Sequence, residues 1–92
     1  MEFPDGLLAF KRTPDFEENT LPNGLRSRHF ISPGVWGKIH VMEGKLKYSI
    51  LEPLDQEMVL NSSVIGVVLP EVPHQVEPLG QTRFYVEFFR KE

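Results

Sequence analysis

The sequence contains no cysteine, which excludes disulfide bonds, a thiolate nucleophile and a cysteine-ligated zinc site. No apolar run approaches the roughly 20 residues that a membrane-spanning helix requires, and the start lacks the basic segment of a signal peptide. Cations are also few, since 10 Lys and Arg stand against 13 Asp and Glu and the formal net charge is −3. No nucleic-acid partner is expected, because phosphate binding needs a basic surface. Together these absences favour a cytoplasmic protein that does not associate with membranes.

The chain does have the length and composition of one folded domain. It comprises 92 residues, of which 40% are hydrophobic and 25% are charged, and this balance is typical of a folded protein rather than a disordered one. Glycine and proline are spread along the whole chain and do not gather in a linker. We therefore expect residues 1–92 to form a single small domain.

Alternating apolar and polar residues predict β-strands along most of the chain. The predicted strands cover residues 25–31, 36–42, 45–50, 64–69, 74–77 and 83–89. Glu43 and Gly44 predict a tight turn that joins the second and third of these strands in a hairpin. One helical turn is predicted after Thr13, a capping residue, with Pro14 at its first position. This pattern of short strands and turns is typical of a small all-β sandwich or barrel.

Two stretches are similar to the signature segments of the cupin superfamily, whose members are small antiparallel jelly-roll barrels. In the second cupin segment a glycine, a few apolar residues and a proline precede a histidine, and Gly66, Pro70 and His74 keep this order in GVVLPEVPH. The first cupin segment ends in a V-x-x-G turn, which the stretch 41–44 resembles.

More narrowly, nearly the whole chain resembles the tellurite-resistance-type cupin domain, the TehB/YeaR-like domain. The shared stretches keep their order from RTPDF at Arg12, through PNG, RHF, PGVWGKI, EGKLKY and LPEVPHQVEP, to FYVEFF at Phe89. The resemblance implies a single-domain cupin-like jelly-roll barrel or sandwich that binds a divalent metal ion and a small anion or oxyanion at its mouth. It also implies a separate methyltransferase as a partner, because such domains occur alone or joined to the tellurite-resistance methyltransferase.

The sequence departs from the general cupin pattern in one respect. The paired histidines and the glutamate of the first segment are absent, and Ser32, Gly34 and Gly37 occupy their neighbourhood. A metal site must therefore be reduced or rearranged, and whether the domain catalyses a reaction stays open. No glycine-rich cofactor loop is present, so neither a nucleotide nor another organic cofactor is expected.

His74 and His29 are the first two candidate ligands. His74 follows Pro73, whose fixed φ keeps the chain extended where a strand begins, and the cupin resemblance places it at the barrel mouth. His29 shares a predicted strand face with apolar residues, and an unpaired buried polar group costs roughly 1–3 kcal/mol. The alternative for His74 is a backbone hydrogen bond, and for His29 a hydrogen bond to Ser27 or a backbone carbonyl.

Glu87 is the third candidate ligand, and it lies in a strand rich in aromatic residues. Burial of an unpaired carboxylate is costly, so Glu87 either binds a metal or lies on an exposed face with Arg83. Two histidines and one carboxylate would suit Zn, Fe, Ni or Mn and leave positions open for water or an oxyanion. If Phe84, Val86 and Phe88 face the interior, Glu87 points outward and this three-residue site does not form.

The remaining residues leave two classes of function open. His40 is interpreted as structural. The predicted walls of the ligand pocket are Trp36, Tyr48, Tyr85 and Phe89. The first function is binding of a metal and a small anion, and the alternative is a non-enzymatic dimerisation or interaction module with structural histidines. A homodimer is expected in both cases, because the last strand is apolar on both faces.

Overall fold

The structure is a computed structural model that describes residues 3–25 and 29–91. Within these ranges the fold is all-β, with one 3₁₀ turn at Asn23–Leu25. The strands are β1 (Leu7–Arg12), β2 (Phe16–Glu17), β3 (Trp36–Glu43), β4 (Leu46–Ile50), β5 (Gln56–Leu60), β6 (Gly66–Val68), β7 (His74–Pro78) and β8 (Arg83–Lys91). These ranges contain no helix long and apolar enough to cross a membrane.

The strands form two antiparallel sheets that enclose one core. The larger sheet has the order β1–β8–β3–β6, with β2 paired to the start of β8, and the smaller sheet has the order β5–β4–β7. The strand pairing of one sheet does not continue into the other, so the described strands form a sandwich of two sheets and not a closed barrel. The all-β class predicted from the alternation is confirmed.

The core is built from the inward faces of both sheets, as period-two alternation dictates. In β3, Gly37, Ile39 and Val41 are buried while their neighbours are partly exposed, and β4 buries Leu46 and Tyr48 from the opposite side. The buried apolar cluster consists of Leu21, Ile39, Val41, Leu46, Tyr48, Ile50, Leu60, Val68, Val76 and Phe84. Alternation also gives β8 a face toward this core and a face away from it. A β8 residue can reach the core only if it lies on the first of these faces.

The turn at Glu43 and Gly44 joins the two sheets, so the predicted hairpin is wrong. β3 pairs with β6 and β8, whereas β4 pairs with β5 and β7. Gly44 has φ +75°, and a Cβ atom at this position would overlap the backbone carbonyl oxygen of Gln81. A crossing between sheets and a hairpin both use a residue with positive φ, so the sequence signal is the same for each.

Three other segments also differ from the prediction. Instead of a helical turn, the chain after Thr13 forms β2, and the Thr13 N–H donates to the Val86 carbonyl over 2.9 Å. The predicted strand 25–31 is not continuous, because Leu25 ends the 3₁₀ turn, residues 26–28 (including the predicted partner Ser27) lie outside the described residues, and His29 forms an isolated bridge. In the predicted strand 64–69, only Gly66–Val68 forms a strand.

Candidate functional site

An isolated pair of backbone hydrogen bonds holds His29 next to His74. The His29 N–H donates to the His74 carbonyl over 2.9 Å, and the His74 N–H donates to the His29 carbonyl over 2.8 Å. The two imidazole rings meet edge to face with their centroids 5.4 Å apart. The structure therefore brings two of the three candidate ligands together, at the start of β7.

Both imidazoles line a cavity of about 50 Å³ between the sheets, called here the histidine cavity. Thr13 supplies one further polar group to its wall. The rest of the wall is apolar and consists of Leu25, Ile31, Ile39, Val68, Val76, Phe84, Val86 and Phe88. Among these described lining residues there is no carboxylate, so the cavity offers a ligand two imidazoles in an apolar setting.

An open groove, called here the mouth groove, adjoins the histidine cavity. It is lined by Phe10, Lys11, His29, Phe30, Ile31, Ser32, Val35, Phe88 and Arg90. His29, Ile31 and Phe88 line both spaces. Two cations, Lys11 and Arg90, thus line the same groove as His29, and no acidic side chain is among the described residues of the groove.

The tautomer of His74 follows from its contact with the backbone. Its Nδ1 lies 3.1 Å from the Val72 carbonyl oxygen. Because a carbonyl only accepts, Nδ1 carries the hydrogen, and the lone pair of the neutral ring is on Nε2. Burial lowers the pKa of His74, the hydrogen bond to Val72 opposes this shift, and the nearby His29 adds to it. His74 is therefore a neutral imidazole near neutral pH, with Nε2 as an acceptor.

Tyr48 is the one predicted pocket residue that lies beside His74. Its ring meets the His74 ring at right angles with centroids 5.9 Å apart, and its hydroxyl donates to the Val67 carbonyl over 2.9 Å. Burial raises the pKa of the Tyr48 hydroxyl. The side chain is thus a neutral, fixed part of the core beneath His74.

Glu87 lies on the outer face of the larger sheet, away from both other candidate ligands. The register pairs Ile39 with Val86 and Lys38 with Glu87, so Val86 faces the core and Glu87 faces outward. Its Oε1 lies 3.0 Å from Nε2 of His40. His40, and not Arg83, is thus its partner. Among the described residues no group of three or more His, Asp or Glu could hold a metal ion, so the three candidates do not form one site.

The other three predicted pocket residues also lie on this outer face. Trp36 and Phe89 both pack edge-on against Phe3, with ring centroids 5.8 and 4.9 Å away. Tyr85 stacks on the ring of His40 at 4.8 Å, and its other contact is the Arg12 guanidinium, 3.8 Å from its centroid. These aromatic side chains contact one another and nearby charged groups, and they do not line the histidine cavity.

Two residues that line the cavity or the groove, Thr13 and Lys11, are not predicted as site residues from the sequence. Lys11 belongs to β1, a strand that the alternation did not predict, and it pairs in register with Phe88. Thr13 was interpreted as a helix cap, yet its Oγ1 accepts a hydrogen bond from the Val86 N–H over 3.0 Å. The stretch LLAFKR has four consecutive apolar residues followed by two cations, so apolar-polar alternation gives no signal for this edge of the sheet.

Comparison with known proteins places the chain in a family. YeaR of Escherichia coli K12 is 29% identical over 99 residues, which covers 97% of this chain and 82% of YeaR. TehB of Haemophilus influenzae KW20, named a probable S-adenosyl-L-methionine-dependent methyltransferase, is 34% identical over 78 residues. That alignment covers 80% of this chain but 27% of TehB, so the similarity concerns a minor part of the longer protein.

Solved structures agree with these sequence matches. A crystal structure of an E. coli K12 protein superimposes with a TM-score of 0.91 at 27% identity and covers 100% of this chain and 98% of its own. The crystal structure of H. influenzae TehB superimposes with a TM-score of 0.86 at 28% identity, over 95% of this chain and 32% of TehB. Residues 11–86 match the TehB-like domain as a family. The resemblance to the TehB/YeaR-like domain is confirmed, and the chain belongs to the TehB-like family.

Proposed function

We propose that this domain binds a small anion in the mouth groove, against His29 and in front of the cavity that His74 lines. The observation that carries the proposal is the backbone bridge between His29 and His74, which holds His29, a residue that lines both groove and cavity, beside His74 in the cavity. Lys11 and Arg90 line the groove. A concave site lined by cations with apolar walls concentrates anions, which supports an anionic ligand over a neutral or cationic one.

The neutral state of His74 adds a condition on this ligand. An acceptor at Nε2 repels an anion unless a proton lies between them, so an anion that reaches Nε2 itself either carries a hydroxyl group or binds with uptake of a proton by the ring. Hydroxyl-bearing oxyanions such as hydrogen tellurite, hydrogen selenite and hydrogen phosphate meet the first condition. Binding with proton uptake becomes tighter as the pH falls.

The divalent metal ion expected from the cupin resemblance fits the described residues only in part. His74 has the backbone-held Nδ1 that is common in metal-ligating histidines. However, Glu87 lies on the other side of the sheet, and two imidazoles are fewer than the three protein ligands typical of catalytic zinc sites. The proposal therefore uses no metal, and Zn, Fe, Ni or Mn binding stays a prediction. The cupin-type jelly roll likewise stays an interpretation of the two-sheet sandwich.

We propose that the domain is cytoplasmic and that its protein partner is a methyltransferase. TehB contains a domain similar to this chain within a longer protein named as a probable methyltransferase. A small anion-binding domain would then work beside a methyltransferase, in one chain or in two. Co-purification of the two proteins from cells that express both would test the partnership, and separate elution at all ratios would contradict it.

Histidine-detected NMR on untagged protein tests the anion site directly. Ring ¹H–¹⁵N signals are followed during titration with sodium tellurite, sodium selenite and sodium phosphate at constant ionic strength. We expect saturable shifts of the His29 and His74 signals and none of His40, which lies on the outer face. His29→Gln should weaken binding, whereas His40→Gln serves as the matched control.

Two results would contradict the proposal. Equal shifts of all three histidines would indicate nonspecific ionic effects. Near-stoichiometric metal by plasma mass spectrometry, reduced in His29→Gln and His74→Gln but not in His40→Gln, would replace direct anion binding with metal binding.

The interaction-module alternative has one observation in its favour, at the edge of the larger sheet. β1 pairs only with β8 among the described strands, and its Leu8 and Phe10 are 51% and 41% exposed. An edge strand with exposed apolar side chains is a site for pairing with another chain. The homodimer stays a prediction, which light scattering on wild type and Leu8→Lys tests. A monomer at all concentrations would contradict it.

A further inference from the structure

The histidine cavity leaves apolar space behind the mouth groove that an inorganic anion would not fill. Its volume is about 50 Å³. An engineered apolar cavity of about 150 Å³ accommodates benzene, so on the same scale this cavity accommodates about two or three carbon atoms. Its walls are suited to hydrocarbon, because Val68, Val76 and Phe84 line it from both sheets.

One molecule can occupy the groove and the cavity together, since His29, Ile31 and Phe88 line both. Arg90 follows Phe88 by two positions on β8, so the two lie on the same side of the strand about 7 Å apart. Lys11 pairs with Phe88 across the strands. Positive charge therefore lies outside the cavity entrance, and apolar surface lies inside it.

From this polarity, and on the basis of the proposed anion site, we infer that the natural ligand is a short-chain organic carboxylate. Its carboxylate lies in the mouth groove beside Lys11 and Arg90, and its tail of about two or three carbons fills the histidine cavity. The tail passes between the shared wall residues His29 and Phe88. An inorganic oxyanion satisfies the charge of the groove but leaves the cavity empty, so it binds more weakly.

The test is the affinity of a homologous series of acids. Dissociation constants for acetate, propionate, butyrate, valerate and hexanoate are measured from the His29 and His74 ring shifts, with inorganic phosphate as the probe without a tail. Each methylene that enters the cavity should tighten binding roughly fourfold. We expect the gain to stop at propionate or butyrate and to reverse for longer acids.

Two variants change the cavity in opposite directions. Val86→Leu narrows it and should shift the optimum to a shorter acid, and Phe88→Leu widens it and should shift the optimum to a longer one. Val59→Leu, at an exposed position of β5, is the matched control with an unchanged optimum. A thermal melt confirms that each variant folds. If a variant does not fold, the acid series measured on the wild type still tests the inference.

The outcomes separate this inference from the proposed function. If phosphate shifts both histidines and the length of the acid has no effect, the carboxylate inference is overturned while the anion site stands. If neither phosphate nor any acid shifts the imidazoles, the anion site fails and the inference fails with it. A length optimum that moves as expected in the two cavity variants supports both.

Discussion

Replacing Gly44 with alanine tests the crossing between the two sheets. Gly44 has φ +75°, a left-handed conformation that costs an alanine about 1–2 kcal/mol. The added Cβ would also overlap the backbone carbonyl oxygen of Gln81. Because this obstacle is backbone and not the end of a flexible side chain, Gln81 and its neighbour Thr82 must move.

Movement of Thr82 is costly because its polar groups are buried and hydrogen-bonded. Thr82 is 1% exposed, and the carbonyl oxygens of Lys45 and Gly80, 2.9 and 3.0 Å from its Oγ1, share its one hydroxyl hydrogen. Loss of such a bond leaves a buried group unsatisfied, at about 1–3 kcal/mol. With the conformational strain, we expect Gly44→Ala to lower the free energy of unfolding by about 2–5 kcal/mol. That is a large part of the roughly 5–15 kcal/mol typical of a domain.

Gly34 provides a matched control, because its φ is +77° but nothing lies within 4 Å of an added Cβ. Gly34→Ala should therefore cost only the conformational part, about 1–2 kcal/mol. Urea unfolding followed by tryptophan fluorescence measures the free energy of unfolding of both variants. In a thermal melt, a domain of this size should lose about 4–8 °C of melting temperature per kcal/mol. Equal losses in the two variants would refute the close approach between the two turns.

Two other residues give smaller or pH-dependent effects. Thr13→Val removes the hydroxyl that accepts a hydrogen bond from the Val86 N–H. The free energy of unfolding in urea should therefore decrease by about 1–3 kcal/mol. An unchanged urea midpoint would mean that water replaces the hydroxyl. Burial holds the pKa of His74 below its ordinary value of 6.5, so the unfolded chain takes up the proton first and the free energy of unfolding should decrease as the pH falls below 6.5. His74→Gln should lack this part of the pH dependence, and parallel profiles of variant and wild type would contradict it.

The alternation of apolar residues was sufficient to predict β3, β4, β7 and β8, because each has one face in the core. The same alternation indicates that the three-residue metal site can form only if Glu87 faces the interior. Phe84, Val86 and Phe88 line the cavity side of β8, and Glu87 consequently points outward. The ambiguity arose because the outer face of this strand is aromatic as well, and Phe89 is covered there by Phe3.

Strand pairing could not be predicted from the same pattern. A turn with a positive φ at Gly44 suits a hairpin and a crossing between sheets equally, and only the packing of the Gln81 carbonyl against it distinguishes them. The edge strands β1 and β5 are largely exposed, so their sequences carry little alternation. The backbone of His29 pairs with that of His74 in an isolated bridge rather than within a continuous strand, and a ligand role for its imidazole stays a prediction.

The bridge between His29 and His74 is formed entirely by backbone atoms, and the same segment is attached again where the Glu71 N–H donates to the Ile31 carbonyl over 2.9 Å. The docking of the segment therefore does not depend on which side chains positions 29 and 74 carry. Substitutions at positions 29 and 74 would therefore change the chemical character of the cavity wall and keep the backbone contacts that frame it.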